Sequence, residues 1–232
     1  MDDHAREADA RSRLLRLTAV RLASIAVVLG LAFFLAAGTL RYWQAWLFLA
    51  VLLAPMTAVM FYLVKNDPRL LERRLQMREK ERPQKLIVKL GSVFFIASWI
   101  LPAFDRRWGW SSVHPALSLL ADAVFVGAYL FFFRVIKANS FASRTVEVVA
   151  GQQVISTGPY ALVRHPMYLA IAIMYGAAPI ALGSFWALLA YVPVPFVLAL
   201  RLRNEEEVLL KELPGYADYR SKVRYRLIPG VW

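Results

Sequence analysis

Five stretches of this chain run for 19 to 35 residues with at most one charged side chain each. They are residues 22–40, 42–64, 86–104, 113–133 and 166–200, and the only charges inside them are Lys89 and Asp122. A water-soluble domain breaks its apolar residues into helical or strand periods, whereas uncharged blocks of this length are the mark of membrane spans. The composition agrees, at 59% hydrophobic and 19% charged. No cysteine is present, which excludes a disulfide framework, a thiolate metal site and a cysteine nucleophile. We expect no metal site.

The last block carries the most information. Its 35 residues would make a helix of about 52 Å, too long for one span of about 30 Å and short for two. Gly183-Ser184 falls near its middle and reads as a turn. Two short helices in a hairpin are therefore expected, with Pro193 and Pro195 kinking the returning one. A single tilted helix is the alternative the sequence leaves open. The first block is longer than the apolar core of a signal peptide and reads as a retained anchor. The expected fold is an all-α integral membrane protein of about six transmembrane helices, the last two a short hairpin, plus a cytoplasmic C-terminal helix. Residues 1–232 form one membrane domain, with 1–21 a cytoplasmic N-terminal segment.

The net charge of +12 is distributed asymmetrically. Six spans put 25 Lys and Arg on one side and three, Arg41, Arg106 and Arg107, on the other. The positive-inside rule assigns the basic side, with both termini, to the cytoplasm. The expected location is a cell inner membrane, with the active site facing the cytoplasm. Basic residues at the ends of apolar blocks argue against nucleic acid as a partner.

Chemistry concentrates in residues 139–232, expected to be the catalytic region. The stretch NSFASRTVEVVAGQQVISTGPYALVRHPMY ends on Arg164-His165-Pro166, with Pro166 suited to the first turn of a helix. A helix start offers N–H groups and a field that favours an anion. The second cluster, RLRNEEEVLLKEL from Arg201 to Leu213, prolongs the final span as an amphipathic helix. A hairpin turning near Ser184 brings the two clusters to one membrane face, cations on one and carboxylates on the other. A zwitterion carrying an amine and a carboxylate would fit between them. Each residue also has an ordinary role. Arg164 could be an interfacial anchor, His165 an interfacial histidine, and Glu205–Glu207 a solvated face paired i,i+4 with Arg201 and Arg203. Asp122 could be a functional intramembrane charge or lie close to the outer interface.

Taken together, Gly158-Pro159-Tyr160, Arg164-His165-Pro166-Met167-Tyr168 and a glutamate pair some 36 residues later resemble the isoprenylcysteine carboxyl methyltransferase and phospholipid methyltransferase superfamily, bacterial type. The ending PGYADYRSKVRYRLIPG is similar to that family's C-terminus, with Pro214-Gly215 where Phe-Gly is commoner. Asn66-Asp67-Pro68 through Arg74 resembles a segment of bacterial members. The resemblance implies a membrane-embedded methyltransferase that uses S-adenosylmethionine without the soluble Rossmann fold. It implies cofactor binding by Gly158, Tyr160, Arg164, His165, Pro166, Tyr168, Glu206 and Glu207, with Glu205 leaving the register of the pair open. Arg164, Arg201, Arg203 and Glu206 are the candidate catalytic residues. The expected acceptor is a lipophilic molecule, favoured as an isoprenylcysteine-like carboxylate or other acidic oxygen or sulfur. A phospholipid amine is the alternative acceptor. A non-enzymatic scaffold or transport protein, or a lipid reductase using a nicotinamide cofactor, are the competing classes.

Overall fold

The structure, a computed structural model, describes residues 3–75, 82–142 and 148–232. Among these it holds helices and no strand. The elements are α1 (Asp3–Ala37), α2 (Trp43–Asn66), α3 (Pro68–Leu75), α4 (Arg82–Trp108) and α5 (Pro115–Ala138). A 3-10 turn (Gly158–Ala161) follows, then α6 (Pro166–Ala181), α7 (Ala187–Tyr191), α8 (Val194–Glu212) and α9 (Tyr216–Lys222). Five helical segments are long and apolar enough to cross a membrane: Arg11–Ala37, Trp43–Asn66, Lys85–Trp108, Pro115–Ala138 and the α7–α8 unit Ala187–Glu212. The sixth expected span, α6, has 16 residues, about 24 Å of helix, and is the short member of the hairpin. This is a multi-pass membrane protein.

Its surface fits that setting. Val27, Leu31, Leu35, Val93, Ile96 and Phe196 all face outward. In water a band of this kind would be an association hazard, while against lipid tails it is the solvated surface. Inward, Phe33, Phe48 and Phe125 are fully buried where α1, α2 and α5 meet, and Phe48 meets Phe125 and Trp99 edge to face with centroids 5.1 Å from each. α5 lies along α6, and α4 lies along α7 and α8.

Helix ends depart from the apolar blocks. α1 begins at Asp3, so the described part of the N-terminal segment is one continuous helix with the first span. Leu14 and Thr18 are buried there, and the Arg21 guanidinium donates to the Leu75 carbonyl at 2.6 Å. The stretch from Ala5 to Leu17 is rich in Ala, Arg, Glu and Leu, strong helix formers that let a span continue past the bilayer. At the start of α5 the His114 ring nitrogen accepts from the Ala116 amide at 3.2 Å, ahead of Pro115 in the first helical position.

The last block resolves as a hairpin. α6 ends at Ala181, and Gly183 has φ +84° with the Gln44 amide where a Cβ would sit. Only glycine enters that conformation without strain. A break at Val192-Pro193 then separates α7 from α8. The turn is locked by Asp105, 1% exposed at the end of α4. Its carboxylate accepts from the Ser111 amide at 2.7 Å and from the hydroxyls of Ser111 and Ser184 at 2.5 Å each. The Tyr42 hydroxyl donates to the Leu182 carbonyl beside it. Asp122 is buried within the bundle, 4% exposed, and neither carboxyl oxygen has a hydrogen-bond partner among the described residues.

Candidate active site

Returning at Gly183, the hairpin sets the start of α6 beside the polar end of α8. Glu206 is the centre of what meets there. Its side chain is 4% exposed. One oxygen accepts from Arg164 Nε at 2.7 Å and lies 3.2 Å from His165 Nε2, and the other accepts from Arg226 Nε at 2.9 Å. Glu206 sits past Leu200, beyond the apolar block. Burial by itself would raise its pKa, but the donors from His165, Arg164 and Arg226 outweigh it and hold the carboxyl well below the usual glutamate range.

One turn into the hairpin the adjacent group repeats the theme. The Tyr168 hydroxyl donates to Glu205 and accepts from Arg201 Nε at 3.1 Å. The EE register therefore divides by depth: Glu206 inward to the cationic cluster, Glu205 to the tyrosine. Glu207 and Arg203 are exposed, and among the described residues no hydrogen bond or ion pair engages either.

Gly158, with φ +59°, opens the 3-10 turn that presents Tyr160. The Tyr160 hydroxyl accepts from Asn139 Nδ2 at 3.1 Å, and its carbonyl accepts from the Tyr219 hydroxyl at 2.7 Å. Burial pushes this phenol up to about 12, against the opposing hydrogen bond from Asn139, so it stays neutral. Pro166 occupies the first position of α6.

The start of α6 differs from expectation in one respect. Its backbone N–H groups are largely spoken for. The Arg164 and His165 amides donate to the carbonyls of Tyr225 and Arg226 at 2.9 Å each, and those of Tyr168 and Leu169 donate to the His165 carbonyl. Pro166 has none to give. The side chains of Arg164 and His165, rather than a bare helix terminus, are therefore the donors at this spot.

Five residues escaped the sequence reading as site residues. Arg226 belongs to the tail segment that straps over Arg164, whose Nη1 also donates to the carbonyls of Val223 and Arg224 at 2.7 Å. Arg74 on α3 donates to the Ala142 carbonyl at 2.6 Å and reaches Met167 Sδ, while its neighbour Arg73 donates to the Ser140 carbonyl. Tyr216 and Tyr219 pack with Tyr160, Val135 and Leu213 in a small core of their own. The family-like ending and the segment through Arg74 were the available signals. Nothing in their spacing told which side chain would reach Glu206. Residues 143–147, within the expected catalytic region, lie outside the described residues.

The arrangement thus gathers cations, carboxylates and neutral phenols at one end of a helical hairpin. Residues 117–215, from the first turn of α5 to the glycine before α9, match the family model described as phospholipid methyltransferase. The match covers less than half of the chain, and over that stretch the chain is similar to phospholipid methyltransferases. The matched stretch contains Arg164, His165 and all three glutamates but ends short of Arg226. No curated protein sequence matches the chain.

Proposed function

We propose that this protein is a membrane-embedded methyltransferase that uses S-adenosylmethionine to methylate a lipophilic acceptor, with its active site on the cytoplasmic face of a cell inner membrane. The observation that carries the reading is the meeting of Arg164-His165 with Glu205-Glu206 across the hairpin. The donor set fits the cofactor: carboxylates for an amine, arginines for a carboxylate, and Tyr160 and Tyr168 rings for an adenine or a sulfonium. A further sign is the buried Tyr216 hydroxyl, which has no hydrogen-bond partner among the described residues.

When bound, S-adenosylmethionine supplies an electrophilic methyl group on sulfur. The chain's own work is binding, alignment and exclusion of water. Arg164, His165, Glu206 and Arg226 would form the rigid frame, with Gly158 and Pro166 fixing the two chain reversals beside it. Glu205, Tyr168 and Arg201, bonded to one another, would face the ligands. An acidic acceptor oxygen or sulfur needs no base and would be oriented by Arg201. A protonated amine must lose a proton, and Glu205, already accepting from the Tyr168 hydroxyl, is placed to take it. The family match to phospholipid methyltransferases favours weighing this second acceptor class equally.

The test uses purified protein in lipid with labelled S-adenosylmethionine. A prenylated thioether carboxylate, phosphatidylethanolamine and a soluble thiol are compared as acceptors, alongside calorimetry with S-adenosylhomocysteine. No binding of the latter would sink the cofactor reading, and turnover of the soluble thiol alone would sink entry from the bilayer. Orientation is checked by single cysteines at Ser12, Ser112 and Ser221, since the chain has none of its own. Labelling of Ser12 or Ser221 from outside intact cells would reverse the topology.

A further inference from the structure

We infer that Tyr216 is a ligand-reading residue, its hydroxyl hydrogen-bonding a polar atom of the S-adenosyl compound. The inference rests on the cofactor reading above. Tyr216 is the first residue of α9, 4% exposed, and lies beyond the end of the matched family stretch. Its ring is fixed from several directions. Tyr219 lies beside it with ring centroids 5.8 Å apart, and Tyr160, Leu213 and Val135 complete the same small core.

The contrast within that core is the argument. Of its three tyrosines, two have satisfied hydroxyls: Tyr160 accepts from Asn139, and Tyr219 donates to the Tyr160 carbonyl. Among the described residues, the Tyr216 hydroxyl alone of the three is buried without a partner. Burying an unpaired hydroxyl costs free energy that phenylalanine would not incur. A purely structural position in an aromatic core is better filled by the residue without the hydroxyl. Tyr216 shares this core with Tyr160, one of the proposed cofactor-site residues, while its hydroxyl bonds to none of Glu206, Glu205 and Arg164 among the described residues. A hydroxyl so placed makes its hydrogen bond only when a ligand arrives.

This predicts an unusual pair of signs. Tyr216→Phe should melt at the same temperature as the unmodified protein or higher, yet bind S-adenosylhomocysteine about tenfold more weakly. Tyr219→Phe is the counter-case and should lower the melting temperature, because a satisfied hydrogen bond is lost. Both are measured on the full chain in lipid nanodiscs, by thermal unfolding and by calorimetry. Unchanged affinity in Tyr216→Phe overturns the inference, as does a fall in melting temperature without loss of affinity. If the unmodified protein fails to bind S-adenosylhomocysteine, the cofactor reading itself falls. Binding that Tyr216→Phe retains in full sinks only the role of Tyr216.

Discussion

α6 carries a buried carboxylate centre at each end, and the two are built on different chemistry. At the Ser184 turn, Asp105 is satisfied by two hydroxyls and a backbone amide, all neutral. At the Arg164 end, Glu206 is satisfied by two guanidinium groups and an imidazole. Neutral donors close a turn and leave nothing to exchange. Cationic donors gathered on one carboxylate make a charged cluster, and one of them, Arg226, keeps a quarter of its side chain exposed. Such a cluster is costly to desolvate, so a fold that needed only a fastening would gain more from apolar packing. The difference suits the Asp105 end to fastening and, on the proposed function, the Glu206 end to holding a ligand site.

Breaking each centre should separate those roles. The largest effect is expected for Glu206→Gln. Uncoupling a buried ion pair costs about 3–5 kcal/mol, and S-adenosylhomocysteine binding should be lost along with it. Chemical unfolding and calorimetry check the two consequences separately. Normal binding in that variant would make the glutamate cluster a fastening like the other. Asp105→Ala should cost about 1–3 kcal/mol in stability by leaving Ser111 and Ser184 without an acceptor. Binding affinity in the protein that remains folded should not change. A matching loss of affinity would erase the distinction between the ends.

Gly183→Ala places a Cβ at a positive φ and against Gln44, and should destabilise the turn by about 1–2 kcal/mol. The smallest effect belongs to Glu207→Gln, exposed one residue beyond the cluster. It should stay within about 0.5 kcal/mol of the unmodified protein and bind equally well. Acid sharpens the same contrast. Because the folded-state pKa of Glu206 lies below its ordinary 4.5, its contribution is complete above that value and is lost as pH falls beneath it. Titration of stability in Glu206→Gln should therefore lose part of the acid-side slope that the unmodified protein shows.

Much of this was legible along the chain. Four helices follow from uncharged blocks, and the hairpin from a block too long for one span with Gly183-Ser184 at its middle. The pairing of Arg164-His165 with the glutamates followed from that turn, since a hairpin returns its second arm to the starting face. What spacing left ambiguous was the choice among three consecutive glutamates. Successive residues on a helix point about 100° apart, so sequence guarantees that one faces inward without saying which. Packing chose Glu206 for the cations, Glu205 for Tyr168 and left Glu207 outside.

Local sequence by itself determined the membrane setting and the helical architecture, because the length and charge of each apolar block act through the bilayer alone. It also determined the turn, which needs only a glycine of positive φ. Tertiary structure alone decided how the site is closed. Arg226 reaches Glu206 from a tail that crosses the Arg164 backbone, and Arg74 reaches Met167 from 93 residues away. It decided, too, that the Tyr216 hydroxyl is buried with no partner among the described residues while that of Tyr219 is satisfied. Those outcomes depend on where a strap and a short helix come to rest. That is set by the sum of many weak contacts across the fold and by no run of neighbouring residues.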